Sequence, residues 1–449
     1  MATLTQQESA TAEQLVVTDG ARKTFLTIIV AGVVVLILGI LAAVFNWGAE
    51  EHGAASEAAG HLGATAGHGA GASLHQEGSA PWLKRVLVSL WHSNVFFLGV
   101  STIGTVFMAI NYVAYAGWSV MIKRISEALS VWIIPGAVIM FVVFLIGRHD
   151  IFHWTHDGIM DKVVDGKANP NYDAIIAGKS GFLNLPFYLI RTVIYLSIWA
   201  YFSHKLRQLS LAEDRLGGTV WFHKSINASA LFLVLYAVTS SMSAWDWVMS
   251  VDTHWFSTLF GWYVFASWWV SGIAAIALTA IFLKQAGYLR ALTPNHLHDL
   301  GKLMFGFSIF WTYVWFSQFM LIWYANLPEE AVYYNQRLGG FEGRYTGMFF
   351  FNIVINFVFP FLGLMTRDAK RQMIIMKIVC IAILIGHWSD FYLMFMPGTM
   401  KGENGFLIEI GIAAIFLGAF LIVFTRRLAS ASLVPVNHPF LDESIHHTT

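Results

Sequence analysis

Residues 374–396 read IIMKIVCIAILIGHWSDFYLMFM. Wound as a helix at 1.5 Å per residue, the stretch is about 34 Å long, enough to cross the roughly 30 Å hydrocarbon core of a bilayer. Lys377 lies near one end, and His387 and Asp390 lie toward the other. The same length criterion, applied along the chain, predicts ten spans: 25–47, 90–117, 129–147, 185–205, 227–250, 258–283, 303–326, 346–366, 374–396 and 406–425. The first follows a polar stretch and is too long for a signal-peptide core, so it reads as a retained anchor. The fold class is all-α and membrane-integral, with no soluble domain.

Composition agrees. Of 449 residues, 57% are apolar and 12% charged, against about a quarter charged in soluble domains. This excludes a disordered chain, a nucleic-acid binder working through a basic surface and a soluble enzyme with a solvated exterior. Lipid is the main solvent. The single cysteine, Cys380, excludes an intrachain disulfide, a Cys-ligated iron–sulfur cluster, a thioether-attached haem and a Cys-based zinc site. No metal site is expected, and redox centres, if any serve this chain, belong to other subunits.

Orientation follows from basic residues, which stay cytoplasmic near span ends. The termini and even-numbered loops hold 17 Lys and Arg, the odd-numbered loops 9. Both termini are therefore expected on the cytoplasmic side, and the long odd loops form a platform on the outer face. The chain divides into a cytoplasmic tail 1–24, helix one at 25–47, an outer loop 48–84, a first four-helix bundle 85–250, a second 251–396, helix ten within 397–427 and a cytoplasmic tail 428–449. Loop 48–84 is rich in Gly and Ala and carries His52, His61, His68 and His75, a low-complexity composition that reads as a linker. Loop 148–184, which contains GRHDIFHWTHDG, mixes aromatic and charged residues and reads as ordered.

An ionisable group inside a bilayer costs about 2.5–3.5 kcal/mol, so each needs a partner or a purpose. The sequence places His92, Arg191, Asp246, His387, Asp390 and Glu409 within the spans, all in the outer half, and leaves only neutral polar groups in the inner half. On helix five, Ser229, Tyr236, Ser240, Ser243 and Asp246 share one face. Hydroxyls both donate and accept, so such a stripe can carry protons toward a carboxylate; small serines also serve close helix packing. Packing is the reading for the serines and function the reading for Asp246. His387 and Asp390, three apart, share a face and can meet. Two readings stand for them: a titrating pair that accepts a quinol hydroxyl proton, or a structural pair bonding a neighbouring helix through a residue such as Arg191. Gln318, Asn352 and Asn356 read as interhelical hydrogen-bonding groups. Trp245, Trp247, Trp255, Trp323 and Tyr324 read as interface anchors, and Cys380 as buried and inert.

Two acidic residues beside tryptophan, in WDW around Asp246 and HWSD ending at Asp390, occupy matching places in helices five and nine. Helices two to five and six to nine thus look like two related four-helix bundles, with helices one and ten flanking.

Four strings carry a resemblance: RHDIFHW (148–154), AGKSGFLN (177–184), WDWVMSVDTHWFSTLFGW (245–262) and GKLMFGFSIFWTYVWFSQFMLIWYANLPEE (301–330). They resemble the polysulfide-reductase-type membrane subunits, most closely the F subunits of bacterial alternative complex III, over about residues 85–427. The resemblance implies a menaquinol-oxidising respiratory complex of the bacterial inner membrane that passes electrons to cytochrome c or a similar carrier. Its iron–sulfur and haem c centres lie in outer-face partner subunits, a sister ten-helix subunit binds quinol, small membrane subunits complete it, and a terminal oxidase associates with it. The F subunit then contributes structure or a proton path. Arg191, Tyr236, Ser240, Ser243, Asp246, His387 and Asp390 become proton-path candidates, and His92, Asp246 and Asp390 candidates for contact with menaquinone. Direct quinol binding, a stand-alone secondary transporter and a purely structural subunit are the alternatives.

Overall fold

The structure, a computed structural model, describes residues 13–45, 79–164, 166–401 and 406–448. The four histidines of loop 48–84 lie outside the described residues. The protein is an all-α integral membrane protein, and among the described residues ten helices are long and apolar enough to span a bilayer. These are α1 Asp19–Val44, α2 Pro81–Val113, α3 Gly117–Ile151, α4 Leu185–Leu216, α5 Val220–Trp247, α6 Phe260–Gln285, α7 Pro294–Ala325, α8 Thr346–Gly363, α9 Met373–Met400 and α10 Leu407–Leu428.

Two spans begin well before their apolar cores. α2 starts at Pro81, where a missing N–H costs nothing in the first turn, and so draws Arg85 into the interior, where it bonds Glu409 of α10 at 2.7 Å. α3 opens with a 3-10 turn at Gly117–Ile122 and a short helix, Lys123–Leu129, whose charged residues stay in the bundle because they are paired.

Helices α2–α5 and α6–α9 form two four-helix sets that meet along α2 and α6. α2 is the central element, with 94% of its apolar window buried. The seam is tight at two glycines. A Cβ on Gly272 of α6 would stand 2.3 Å from Ile103, and one on Gly99 of α2 would stand 2.0 Å from Trp268. α1 stands outside, packed on α10. Its buried residues are Gly32 and Gly39, which face Gly411 and Ile408 so closely that an added Cβ would fall within 3 Å of them. Small residues let membrane helices touch backbone to backbone, which is how this pair gains contact in lipid.

One end of the bundle, the platform end, carries residues 152–164 and 166–183 and the short helix Pro328–Leu338. Trp154, Ile159 and Ile176 of that segment are buried. The first described residues and the C-terminal segment meet at the opposite end, called the termini end, where Leu433 N donates to Glu13 O at 2.8 Å.

Candidate functional site

α4 starts sharply because the Asn184 side chain accepts from Phe187 N, with Pro186 in the first turn. That fixes Arg191 near the platform end, facing α5. Its Nε and Nη2 donate to the two oxygens of Asp246 at 2.8 and 2.6 Å, while Tyr195 OH donates to Asp246 Oδ2 at 3.0 Å. Arg191 Nη1 donates to Phe182 O at 3.0 Å, and the guanidinium lies 3.9 Å from the Phe182 ring centre. Asp246 is therefore a buried carboxylate paired with arginine in the forked geometry arginine favours. The pairing also corrects the expectation that Arg191 bonds the His387 and Asp390 pair.

The helix-five stripe does not form a hydrogen-bonded wire. Ser243 Oγ donates to Ser240 O at 2.8 Å and Ser240 Oγ to Ala237 O at 3.4 Å, each on its own helix. Tyr236 OH and Ser229 Oγ are buried without partners. Neither serine reaches Asp246, because serine on a helix satisfies itself on the preceding turn.

Asp390 differs from Asp246 in kind. It is fully buried and bonds every other helix of its bundle: Tyr263 OH and Ser267 Oγ from α6, the latter at 2.6 Å, Trp311 Nε1 from α7 at 2.9 Å and Asn352 Nδ2 from α8 at 2.8 Å. All four donors are neutral. Asn356 donates to Asn352 in turn, so these two asparagines extend the network. Asn352 precedes and Asn356 lies within a π-turn, Val354–Val358, just before Pro360, whose missing N–H leaves the Asn356 carbonyl without its helical donor. His387 Nδ1 stands 3.9 Å from Asp390 Oδ2, beyond hydrogen-bond range, and both of its ring nitrogens are buried without a hydrogen-bond partner among the described residues.

Above this hub, Tyr263, Gln318, Arg337 and Asn352 line a cavity of about 20 Å³, the room of one water. Gln318 Oε1 is unpartnered, and its Nε2 bonds Val314 O of its own helix rather than a neighbour. Arg337 closes the cavity toward the platform. It donates to Asp252 Oδ2 at 2.9 Å, to Tyr333 O at 2.7 Å and to Leu393 O at 3.0 Å. Leu393 is the residue whose helical donor Pro397 removes, so Arg337 replaces that bond.

Beyond Asp252 opens a larger cavity of about 650 Å³, lined by His149, His153, His156 and His254 among others. His254 Nε2 bonds Asp173 at 2.5 Å. Burial, aided by neighbouring His156 and His254, holds the His153 imidazole below its usual range. Burial pushes the Asp173 carboxyl up, but the Ile176 N–H and His254 outweigh it, and the group ends below the carboxylate range.

His92 bonds Trp388 O at 3.0 Å and lies against the Trp388 ring. Cys380 is buried against Met304. Two of the expected interface anchors are core residues instead: Trp247 is 0% and Trp255 5% exposed, whereas Trp323 and Tyr324 are 66% and 84% exposed. Trp247 turns inward because its Nε1 finds Thr192 at 3.2 Å.

Sequence reasoning missed a buried ionic network at the termini end. Lys123 bonds Glu213 at 3.0 Å, Arg124 bonds Glu127 at 2.7 Å and also Asp214, and Arg207 stands 3.6 Å from Glu127. The termini end of the bundle thus buries charge just outside the predicted spans. The signal was a basic pair, Lys123 and Arg124, set against an acidic pair, Glu213 and Asp214, on segments taken as loops. The C-terminal segment roofs this network, with Val436 N donating to Asp214 at 3.1 Å and Ser430 accepting from Arg207 at 2.8 Å.

No family model matches the sequence, and no curated protein matches it.

Proposed function

We propose that this chain is a membrane-integral subunit of a respiratory menaquinol:cytochrome c oxidoreductase of the alternative-complex-III type, without redox centres of its own. In this reading it lies in a bacterial cytoplasmic membrane with the termini end inward, supports iron–sulfur and haem subunits on the platform and handles protons at Asp390. The observation that carries the proton role is Asp390 itself, a buried carboxylate held by four neutral donors beside an imidazole with two free nitrogens. Among the described residues no arginine or lysine bonds Asp390, whereas a carboxylate held in an arginine fork is committed to its ion pair. Asp246, locked by Arg191, is the structural counterpart, so the proton role moves from Asp246 to Asp390.

Support for a connection to the platform comes from the water-sized cavity, the Arg337 and Asp252 pair and the histidine-lined basin, which follow one another outward from Asp390. Direct quinol contact at Asp390 is the weaker reading, because the adjoining cavity of about 20 Å³ is far too small for a quinol ring.

The test is Asp390→Asn in the complex purified from native membrane and reconstituted in proteoliposomes. Protons released per electron fall while quinol oxidation persists. Unchanged stoichiometry overturns the proton role, and a chain that never co-purifies with haem or iron–sulfur proteins overturns the complex.

A further inference from the structure

The lipid-facing side of α7 carries a polar group where lipid offers it nothing. Lys302 and Trp323, both exposed, mark the ends of its apolar stretch. They stand about 32 Å apart at helical rise, close to the thickness of the hydrocarbon core. Tyr313 lies midway, about 15 Å from either end, and is 67% exposed. Its hydroxyl has no hydrogen-bond partner among the described residues, and the neighbouring Ser317 hydroxyl is already donated to the Tyr313 carbonyl. A tyrosine side chain is too short to reach the headgroups from there. A hydroxyl left in an apolar medium is costly until an acceptor is brought to it.

The same face is notched. Gly306, Ile309, Tyr313, Phe316 and Met320 follow one another at spacings of three and four and so form one stripe along the helix. Ile309, Phe316 and Met320 are exposed. A Cβ on Gly306 would meet nothing of this chain within 4 Å, so this glycine, unlike Gly99 and Gly272, serves no contact inside the molecule. On a bare helix face a missing side chain admits the close approach of a neighbouring helix. Trp311, about 200° around α7 from Tyr313, points inward to Asp390. The two sides of α7 at this depth therefore have separate partners.

Symmetry narrows the occupant. In a second copy related by a twofold axis along the membrane normal, like residues meet across the seam. Gly306 would face Gly306 and leave a hole, Lys302 would face Lys302, and one of two facing Tyr313 hydroxyls would still lack an acceptor. A different helix satisfies all three positions.

We propose that the stripe from Gly306 to Met320 seats a transmembrane helix of another polypeptide, which brings an acceptor oxygen to Tyr313 and a side chain into the Gly306 notch. The inference rests on the proposed membership of a multi-subunit complex only in requiring a second membrane chain.

Photocross-linking in native membrane tests it, with p-benzoylphenylalanine placed at position 316 so that Tyr313 and Gly306 stay intact. The expected result is an adduct with a membrane polypeptide other than this chain, identified by mass spectrometry. Gly306→Leu abolishes the adduct without lowering the unfolding temperature in detergent, because the new side chain meets only open space in this chain. Tyr313→Phe lowers the yield in solubilised membrane about threefold, the worth of an average hydrogen bond between membrane helices. Should the leucine variant fail to fold, that substitution carries the test. The inference is overturned, with the complex left standing, by an adduct with a second copy, by an adduct that a folded variant leaves undiminished, or by no protein adduct in a chain that still co-purifies with haem or iron–sulfur proteins. A chain that forms no adduct and co-purifies with no other membrane protein overturns both.

Discussion

Arg191 grips Asp246 through two parallel hydrogen bonds of 2.8 and 2.6 Å, both side chains buried between α4 and α5. Removing one member strands the other charge in a buried interior, which costs about 3–5 kcal/mol, whereas replacing both with apolar residues is often neutral. Asp246→Ala and Arg191→Met are each expected to lower the unfolding temperature in detergent sharply, and the double variant Arg191→Met with Asp246→Leu to restore most of it. A double variant as unstable as the singles would mean that the pair does more than neutralise itself.

Asp390 gathers donors from three helices, so its substitutions should separate charge from bonding. Asp390→Asn keeps one acceptor oxygen and is expected to fold. Asp390→Leu leaves Tyr263, Ser267 and Asn352 without their acceptor, while Trp311 keeps Ser267 Oγ, at about 1–3 kcal/mol for each group left unsatisfied. Thermal unfolding of the two variants checks the order: wild type above Asn, and Asn well above Leu.

Arg337 donates to the Leu393 carbonyl that Pro397 leaves open. Arg337→Met removes that donor and frees Asp252, and Arg337→Lys cannot reproduce a planar fork that reaches Asp252, Tyr333 and Leu393 together. Hydrogen exchange in residues 393–400 is expected to quicken in both variants, with the lysine rescuing little.

The C-terminal tail should respond to pH through His438. Burial, with Lys123 and Arg124 close by, pushes its imidazole far below the ordinary value of 6.5; the Tyr112 and Phe222 rings pack against it. An undocked tail would bind a proton near 6.5, so docking is favoured fully above that pH and loses about 1.4 kcal/mol per pH unit below it. Limited proteolysis of residues 430–448 is expected to accelerate between pH 7 and pH 5.5. His438→Gln should flatten that dependence.

The spans were legible because length and hydropathy decide them, and Asp246, His387 and Asp390 stood out because lipid makes any such residue conspicuous. What each one touches was not legible. Arg191 was available to either carboxylate by depth alone, and only the packing of α4 on α5 gives it to Asp246. Lys123 and Arg124 read as loop charges because Glu213 and Asp214, which they meet, lie about ninety residues away on α4, a pairing that no local pattern expresses; Glu127 alone is near in sequence. Arg337 had no signal beyond its place in a polar segment, since its role depends on a proline sixty residues later. Trp247 and Trp255 looked like anchors because tryptophan near a span end usually is one, and their burial follows from neighbours the sequence does not name.

The glycine contact between α1 and α10 also sets an order of events in synthesis. Gly32 and Gly39 meet Gly411 and Ile408, so a helix made early has its main partner in one made almost four hundred residues later. At the 5–20 residues per second at which chains typically elongate, α1 waits about 20–80 seconds in the bilayer with its small-residue face uncovered. Insertion is therefore finished only when the last span arrives, and the outer edge of the molecule closes after its two bundles have already formed.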